Sequence, residues 1–483
     1  MEKLFGTDGM RGEAGRFPLD AETIYMAGQS LARHLGARPE NARRCPLVVT
    51  GRDTRESGEW IERALDAGVR EGGAACESAG VMTTPGVAYL TRALGADAGV
   101  VVSASHNPYE DNGIKIFAPT GRKMDDATEL LIEADIHEHR RAREGATHAG
   151  GAGRRLEASA PGRAGFAADA SSLPAPESDG AESGASGLAA RYLDFLAEEI
   201  GRGLRLDGLR LVADCANGAA SQLAPELLTR LGAHVITVND RPDGRNINRE
   251  CGSLFVERLG EVVVREGADL GVAYDGNADR ALFCDARGRV VDGDATLWAL
   301  ANYLEARGQL TGRRVVATVM SNLGLELALK SRGVELLRAK VGDKYVLEEL
   351  LATGAALGGE QSGHIIIPSV SLAGDGLITT VFLLRAMRES DVPLGRLTEG
   401  FTRYPQTLVN VRVAEKRPFE DVAEIMEEAH RVEGELAGQG RLLLRYSGTE
   451  PLARVMIEGK RQGEIEQLAE RLASVISRAL GGA

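Results

Sequence analysis

Three stretches of the chain repeat one grammar: a β-branched apolar run, a polar loop, then a segment of helical period. They are CPLVVTGRDTRESGEWIERAL from Cys45, LRLVADCANGAASQLAPELLTRLG from Leu209 and RRVVATVMSNLGLELALKSRG from Arg313. Unbroken apolar strands followed by amphipathic helices are the pattern of βαβ units on a mainly parallel sheet. The recurrence predicts three related α/β domains, and a chain of 483 residues has room for about three or four. Ligands of such sheets sit at the carboxyl ends of the strands, where the polar loops fall.

Composition interrupts this pattern once. Between Ala142 and Gly187 the chain is rich in Ala, Gly, Ser and Pro and nearly lacks large apolar side chains. Such a segment cannot bury enough surface to offset its ordering entropy, so it reads as a flexible insertion. Helical patterning resumes at Leu188 (LAARYLDFLAEEIG), and from near Tyr404 strands such as TLVNVRV, RLLLRYSG and ARVMIEG alternate with helices. The expected units are therefore 1–141, an insertion at 142–187, then 188–289, 290–400 and 401–483. The fold class is α/β: three similar domains with mixed, mainly parallel sheets, plus a smaller C-terminal α+β domain.

With 57 Lys and Arg against 70 Asp and Glu the formal net charge is −13, which argues against a nucleic-acid partner. Five cysteines without metal-type spacing fit a reducing compartment. The opening MEKLFGTDGMRG has no apolar signal core, and no run approaches the ~18 apolar residues of a membrane span. A cytoplasmic protein with no membrane partner is expected.

Several short stretches carry chemistry. In GVVVSASHNPYEDNGIK (Gly99 to Lys115) a buried strand runs into Ser105, an ordinary turn or a nucleophile held at a strand end. The serine sits in ASH rather than a G-x-S-x-G elbow, which disfavours acyl transfer. In VAYDGNADRALFCD, Asp275, Asn277 and Asp279 alternate around small residues, so three oxygens can converge on one hard cation. Oxygen donors without His or Cys favour Mg²⁺ over zinc, and an Asx-rich turn is the bland alternative. Apolar residues such as Leu282 where later ligands would stand argue against an EF-hand. GGEQSGHIII places Glu360, Ser362 and His364 in a glycine-flanked loop suited to hydroxyl groups. In RYSGTEPLARVMIEG, Arg445, Ser447, Gly448, Thr449 and Arg454 compose an anion nest around a tight turn. GRDTRESG and FGTDGMRG add Arg52, Arg55, Lys3 and Arg11, each of which alone reads as surface charge.

Taken in this order, FGTDGMRG, SASHNP with DNGIK, the acidic loop, VMSNLG, GGEQSGH and SGTEP resemble the α-D-phosphohexomutase superfamily over nearly the whole chain except the insertion. The wording of FGTDGMRG and GGEQSGH is closest to its glucosamine-phosphate branch. The resemblance implies four domains around a central cleft and an isomerase acting through a phosphoserine at Ser105. It implies Mg²⁺ on the phosphoserine, Asp275, Asn277 and Asp279, with Arg52, Lys115 and His364 near the transferring group. It further implies Arg280, Glu360 and Ser362 on the sugar, and Arg445, Ser447, Gly448, Thr449 and Arg454 on the non-reacting phosphate. Glucosamine 1,6-bisphosphate would be the intermediate and a hexosamine phosphate the substrate; a homodimer is left open. Two departures stand out: Asn277 occupies a position usually held by aspartate, and Lys344 one usually held by arginine. A glucose- or mannose-phosphate mutase, and a sugar-phosphate-binding protein without turnover, are the competing readings.

Overall fold

Four sheets organise the chain in the computed structural model, which describes residues 3–6, 8–149, 178–447 and 450–481. The first three share one kernel. In the first, strand Leu47–Arg52 lies between Ala75–Val81 and Ala98–Val102, parallel to both, and Asp111–Phe117 returns antiparallel beyond Ala98–Val102. The second repeats this with Arg210–Asp214 between His234–Val238 and Leu270–Tyr274, then Ala281–Asp285 antiparallel. The third does so with Arg314–Thr318 between Glu335–Ala339 and Gly358–Gly359, then Ile365–Ile366 antiparallel. Further antiparallel strands, Gly9–Glu13 and Phe5–Gly6, extend the first sheet, and Val290–Val291 extends the second. The sheets are thus mixed, with a parallel kernel and an antiparallel flank.

The kernel sharpens the reading of the loops. The repeated stretches mark the first strand of each kernel. The serine, acidic and Glu/Ser loops all follow the third strand instead, between it and its antiparallel neighbour. They occupy one equivalent position three times over, at the carboxyl ends of parallel strands.

The C-terminal sheet is wholly antiparallel, in the order Gln406–Arg412, Leu452–Glu458, Arg441–Tyr446, and packs on helices Ala423–Leu436 and Gln462–Leu480. It has its own apolar core around Val455, Ile457, Leu472 and Ile476, whereas one core runs through the first three units from Val49 to Leu394.

Helix Asp126–Ala149 continues past the expected limit at 142, and helix Ser178–Asp194 begins before the expected limit at 187. At the first edge alanine with Glu and Arg favours helix even where large apolar residues are scarce; the start of the second helix, SDGAESGASG, is rich in Gly and Ser and gives no such signal. The middle of the insertion, residues 150–177, lies outside the described residues. No helix among the described residues is long and apolar enough to cross a membrane.

The second of these helices brings Tyr192 to a junction of three units. Its ring lies beside Tyr89, which stacks on Phe195 at 4.2 Å between centroids. Its buried hydroxyl donates to Asp375 Oδ2 at 2.6 Å, while Asp375 Oδ1 caps helix Gly376–Ser390 through the amides of Leu377 and Ile378. Burial pushes the Asp375 carboxyl up to about 6, against the hydrogen bonds that favour its charged form. Tyr192→Phe should therefore destabilise the fold by about 1–3 kcal/mol, the cost of depriving a buried acceptor of its donor. Calorimetry would register this as a lower melting temperature, and an unchanged one would show that the bond carries no stability.

Candidate active site

Strand Ala98–Val102 is buried throughout, and the chain leaves it in an unusual conformation, with Ser105 at φ +54° in the left-handed region. A residue with a Cβ stays there only where its surroundings hold it. The holding group is Arg55, a fully buried guanidinium. Its Nε donates to Asp53 Oδ2 at 3.0 Å, and its terminal nitrogens donate to the carbonyls of Ser105 (3.0 Å), Asn107 (2.9 Å), Asp111 (3.0 Å) and Pro108. Asp53 also accepts from the Ser103 hydroxyl at 2.6 Å, and Ser103 Oγ accepts from the Ser105 amide at 3.0 Å. Asn248, from the second unit, donates to the Ser105 and Asn107 carbonyls at 2.9 and 3.1 Å. So fixed, the Ser105 hydroxyl donates to Asp275 Oδ2 at 2.5 Å.

Asp275 opens the acidic loop, whose approach to the serine needs Gly276: a Cβ there would stand 2.6 Å from the Ser105 carbonyl oxygen. Asn277 Nδ2 donates to Asp279 Oδ2 at 2.8 Å and to Thr84 Oγ1 at 2.6 Å. Burial and then repulsion from Asp279 push the Asp275 carboxyl up to about 7. Asp279 goes the other way: burial opposes its charge, but Lys115, His364 and Arg280 together hold it well below the usual carboxylate range. Among the described residues no three His, Cys, Asp or Glu side chains gather as a metal site, because the third oxygen here is an amide. The donors nonetheless fit Mg²⁺. Asn277 Oδ1 and Asp279 Oδ1 are both buried without a hydrogen-bond partner, and hard oxygens of mixed charge suit that ion.

Around this pair the other predicted residues gather. Lys115 Nζ lies 3.4 Å from Asp279 Oδ2 and 3.0 Å from Asp8 Oδ1. His364 Nδ1 is 3.8 Å from Asp279 Oδ1, and its pKa is raised because the Asp279, Asp343 and Glu360 carboxylates outweigh its burial. The Arg280 amide donates to Asp275 Oδ1 at 3.1 Å, and its Nε lies 4.0 Å from Asp279 Oδ1. Glu360 accepts from the Ser362 hydroxyl at 3.2 Å and from the Gly342 amide at 3.2 Å. The Ala281 amide donates to the Gly363 carbonyl at 3.1 Å, which docks this loop on the acidic one.

Arg52 does not join them. Its side chain turns to helix Gly58–Glu71 and pairs with Glu62 at 3.2 Å, and Glu62 also accepts from the hydroxyls of Thr50 and Ser78 at 2.6 and 2.7 Å. There it lines a separate cavity of about 450 Å³ with Cys76 and Ser78. Another guanidinium lies nearer the serine loop: Arg11, on strand Gly9–Glu13 opposite Gly113 and hydrogen-bonded to Asp8. His106 registers its presence: burial, then the charges of Arg280 and Arg11, drive that imidazole down to about 4, with Nδ1 at 3.4 Å from Ser105 Oγ. The signal for Arg11 was its place in FGTDGMRG, where a lone arginine read as surface charge.

The anion nest is a separate cluster. Arg445 and Arg454 face each other across an antiparallel pair, and Arg454 donates to Ser447 Oγ at 3.3 Å and to Glu450 at 3.1 Å. Burial and the neighbouring Arg454 lower the pKa of Arg445, the electrostatics of a site that favours an anion. Gly448 and Thr449 lie outside the described residues. No hydrogen bond or ion pair among the described residues joins this turn to the serine or acidic loops. Lys344 sits at a rim, paired with Asp126 at 2.5 Å.

Comparison with known proteins matches this layout. Models of the phosphoglucomutase/phosphomannomutase alpha/beta/alpha domains I, II and III match residues 2–143, 190–288 and 292–404, and that of the C-terminal domain matches 408–475. The phosphoglucosamine mutase of Solibacter usitatus is 45% identical over 478 residues, covering 99% of each chain. That of Pelotomaculum thermopropionicum is 46% identical over 476 residues, again covering 99% of each. Among solved structures, a phosphoglucomutase/phosphomannomutase family protein from Burkholderia thailandensis shares the fold with a TM-score of 0.74 at 22% identity, over 99% of this chain and 97% of that one. The N-acetylphosphoglucosamine mutase of Aspergillus fumigatus, solved with GlcNAc-6P and magnesium, does so with a TM-score of 0.61 at 18% identity, over 99% and 96%. The chain belongs to the phosphoglucosamine mutases, isomerases of the α-D-phosphohexomutase superfamily.

Proposed function

We propose that the protein interconverts glucosamine 6-phosphate and glucosamine 1-phosphate through phosphorylated Ser105, so supplying amino sugar for UDP-N-acetylglucosamine and the cell wall. The observation that carries this reading is the 2.5 Å contact between Ser105 Oγ and Asp275 Oδ2, made by equivalent loops of two units. In the first half-reaction the bond from phosphorus to Ser105 Oγ breaks and one to a sugar hydroxyl oxygen forms, the hydroxyl's proton ending on Ser105 Oγ, giving glucosamine 1,6-bisphosphate. The sugar then turns over, the bond from its other phosphorus to the sugar oxygen breaks as one to Ser105 Oγ forms, and the serine's proton ends on that sugar oxygen.

Residues of this chain supply positioning and charge. Arg55 and Asn248 hold the serine loop by its carbonyls, and the Asp275 carboxylate directs the hydroxyl. Lys115, Arg11 and His364 present positive charge to the transferring phosphoryl oxygens. Glu360, Ser362 and Arg280 bind the sugar, and the Glu360 carboxylate complements the ammonium of glucosamine. Arg445, Ser447 and Arg454, with Gly448 and Thr449, hold the phosphate that is not reacting. Mg²⁺, held by Asp275, Asn277, Asp279 and the phosphorylated serine, would draw charge from the transferring phosphoryl group when bound. The A. fumigatus N-acetylphosphoglucosamine mutase, which shares the fold, was solved with GlcNAc-6P and magnesium, which supports a hexosamine phosphate and Mg²⁺ as the ligands.

Ser105→Ala removes the acceptor atom and should lower turnover of glucosamine 6-phosphate by about a thousandfold or more with an unchanged circular-dichroism spectrum. Activity within tenfold of the parent protein would refute the phosphoserine route. A coupled assay on glucosamine, glucose and mannose phosphates tests the substrate at the same time, and a binding protein without turnover would be inactive on all three.

A second test concerns Asn277. Asn277→Asp places a carboxylate where an amide now donates to Asp279 at 2.8 Å, so two like charges meet until a cation separates them. The variant should melt lower than the parent without Mg²⁺, gain more from its addition and need less of it for half-maximal activity. Identical Mg²⁺ titrations of the two proteins would remove Asn277 from the metal site.

A further inference from the structure

Six charged or titratable side chains close a ring beside the reaction centre, alternating in sign once the imidazole is protonated. Lys115 Nζ meets Asp8 at 3.0 Å and Asp279 at 3.4 Å. Asp279 faces His364 Nδ1 at 3.8 Å, and His364 Nε2 faces Asp343 at 3.8 Å. Asp343 pairs with Lys123 at 2.8 Å, and Lys123 returns to Asp8 at 2.5 Å. Five of the six, all but Asp8, line a cavity of about 430 Å³. The mechanism above uses Lys115, Asp279 and His364. Lys123 and Asp343 it leaves without a task.

Their location supplies one. Lys123 bridges back to Phe117, the end of the strand that carries Lys115, and Asp343 begins helix Asp343–Thr353 in the third unit, beside the loop that carries His364. The pair therefore spans two units, with Lys344–Asp126 as a second tie nearby. Each reaction-site cation is flanked by two carboxylates: Lys115 by Asp8 and Asp279, His364 by Asp279 and Asp343. A carboxylate satisfied by another cation pulls less on these two. Lys123 is that cation for Asp343, and it shares Asp8 with Arg11. Burial opposes the charges of Asp8 and Asp343, yet Asp8 stays well below the usual carboxylate range and Asp343 is lowered too, with Lys123 among the causes in each case. Without Lys123, Asp8 would draw Lys115 inward and Asp343 would draw the imidazole, each away from the phosphoryl oxygens.

We propose that Lys123 and Asp343 are a positioning pair, which takes up the charge of the outer carboxylates so that Lys115 and His364 stay aimed at the transferring phosphoryl group. This rests on the functional reading above. The same pair fixes the spacing between the Lys115 strand and the sugar loop, so its loss should act on the rate of transfer more than on substrate affinity.

The test is a double-mutant cycle with Lys123→Met and Asp343→Asn, run at equal Ser105 phosphorylation and corrected for folded fraction by calorimetry. Each single variant should lower kcat about tenfold and change KM less than about twofold. Because the two act as one unit, the double variant should lose no more than the worse single. Lys123→Arg, which keeps the charge, should recover most of kcat and serves if the methionine variant folds poorly. Losses that multiply in the double variant, or a parental kcat in either single, would overturn the proposal. A readout free of turnover separates it from the functional reading: Lys123→Met should move the imidazole NMR resonances of His364, assigned by their absence in His364→Gln. Unmoved resonances overturn the ring. An inactive parent protein whose resonances move in the variant overturns the substrate instead.

Discussion

The contact on which the rest depends joins atoms 170 residues apart, the Ser105 hydroxyl and the Asp275 carboxylate. Neither loop could hold its end alone, since a serine in the left-handed region and an ionisable group with no exposure both cost free energy. The first cost is met by Arg55, whose hydrogen bonds tie Asp53 to the carbonyls of the serine loop. The second is met by the Ser105 hydroxyl from across the unit boundary and by Arg280, whose amide donates to Asp275 Oδ1 at 3.1 Å and whose charge favours the ionised carboxylate. Asn248 from the second unit and Thr84 from the first, which accepts from Asn277, tie the two loops together. Removing a partner from such a network leaves buried groups unpaired, which is costlier than the mean value of one hydrogen bond.

The units are joined by two kinds of contact, and this decides what each joint can transmit. The first three share an apolar core, with Tyr192 donating to Asp375 across it. The C-terminal unit, with its separate core, is fastened by polar bonds. Asn322 donates to the Tyr404 carbonyl and to Glu458 at 3.0 Å each and accepts from the Tyr404 amide at 2.8 Å, while Arg441 donates to the Ser321 carbonyl at 3.1 Å. The VMSNLG turn, whose motif carried no chemistry of its own, is therefore the anchor of the phosphate-binding unit. Register with the rest of the site rests on hydrogen-bond directions there, not on side-chain volume.

Local pattern revealed the reactive loops because each is short and continuous. A strand ending at Ser105, acids alternating through Asp275 and Asp279, and glycines flanking Glu360 are all visible in a dozen residues. Arg52, placed near the transferring group by the resemblance and not by local pattern, is corrected by its own strand. Thr50 and Arg52 lie two apart, hence on one face, and both reach Glu62 on the flanking helix. Arg11 and Asp8 enter the site only through the antiparallel pairing of Gly9–Glu13 with Asp111–Phe117. Lys123 and Asp343 meet across 220 residues. No spacing rule encodes such a pair, and a lysine between two acids in space looks in sequence like any surface charge.

Asn277 is the clearest meeting of the two levels. A third carboxylate in this loop would stand with Asp275 and Asp279 where burial and mutual repulsion already push Asp275 up to about 7. An amide carries no charge to repel and brings a donor. Asn277 uses that donor to fix Asp279 and to bind Thr84, and leaves its oxygen free. The substitution thus exchanges attraction for a cation against order in the loop that receives it. With fewer like charges to separate, the acidic loop can keep its shape against the serine without a metal to hold it together. Lys115, Arg280 and His364 then face a site of lower negative charge, which leaves more of their own charge for a phosphoryl group.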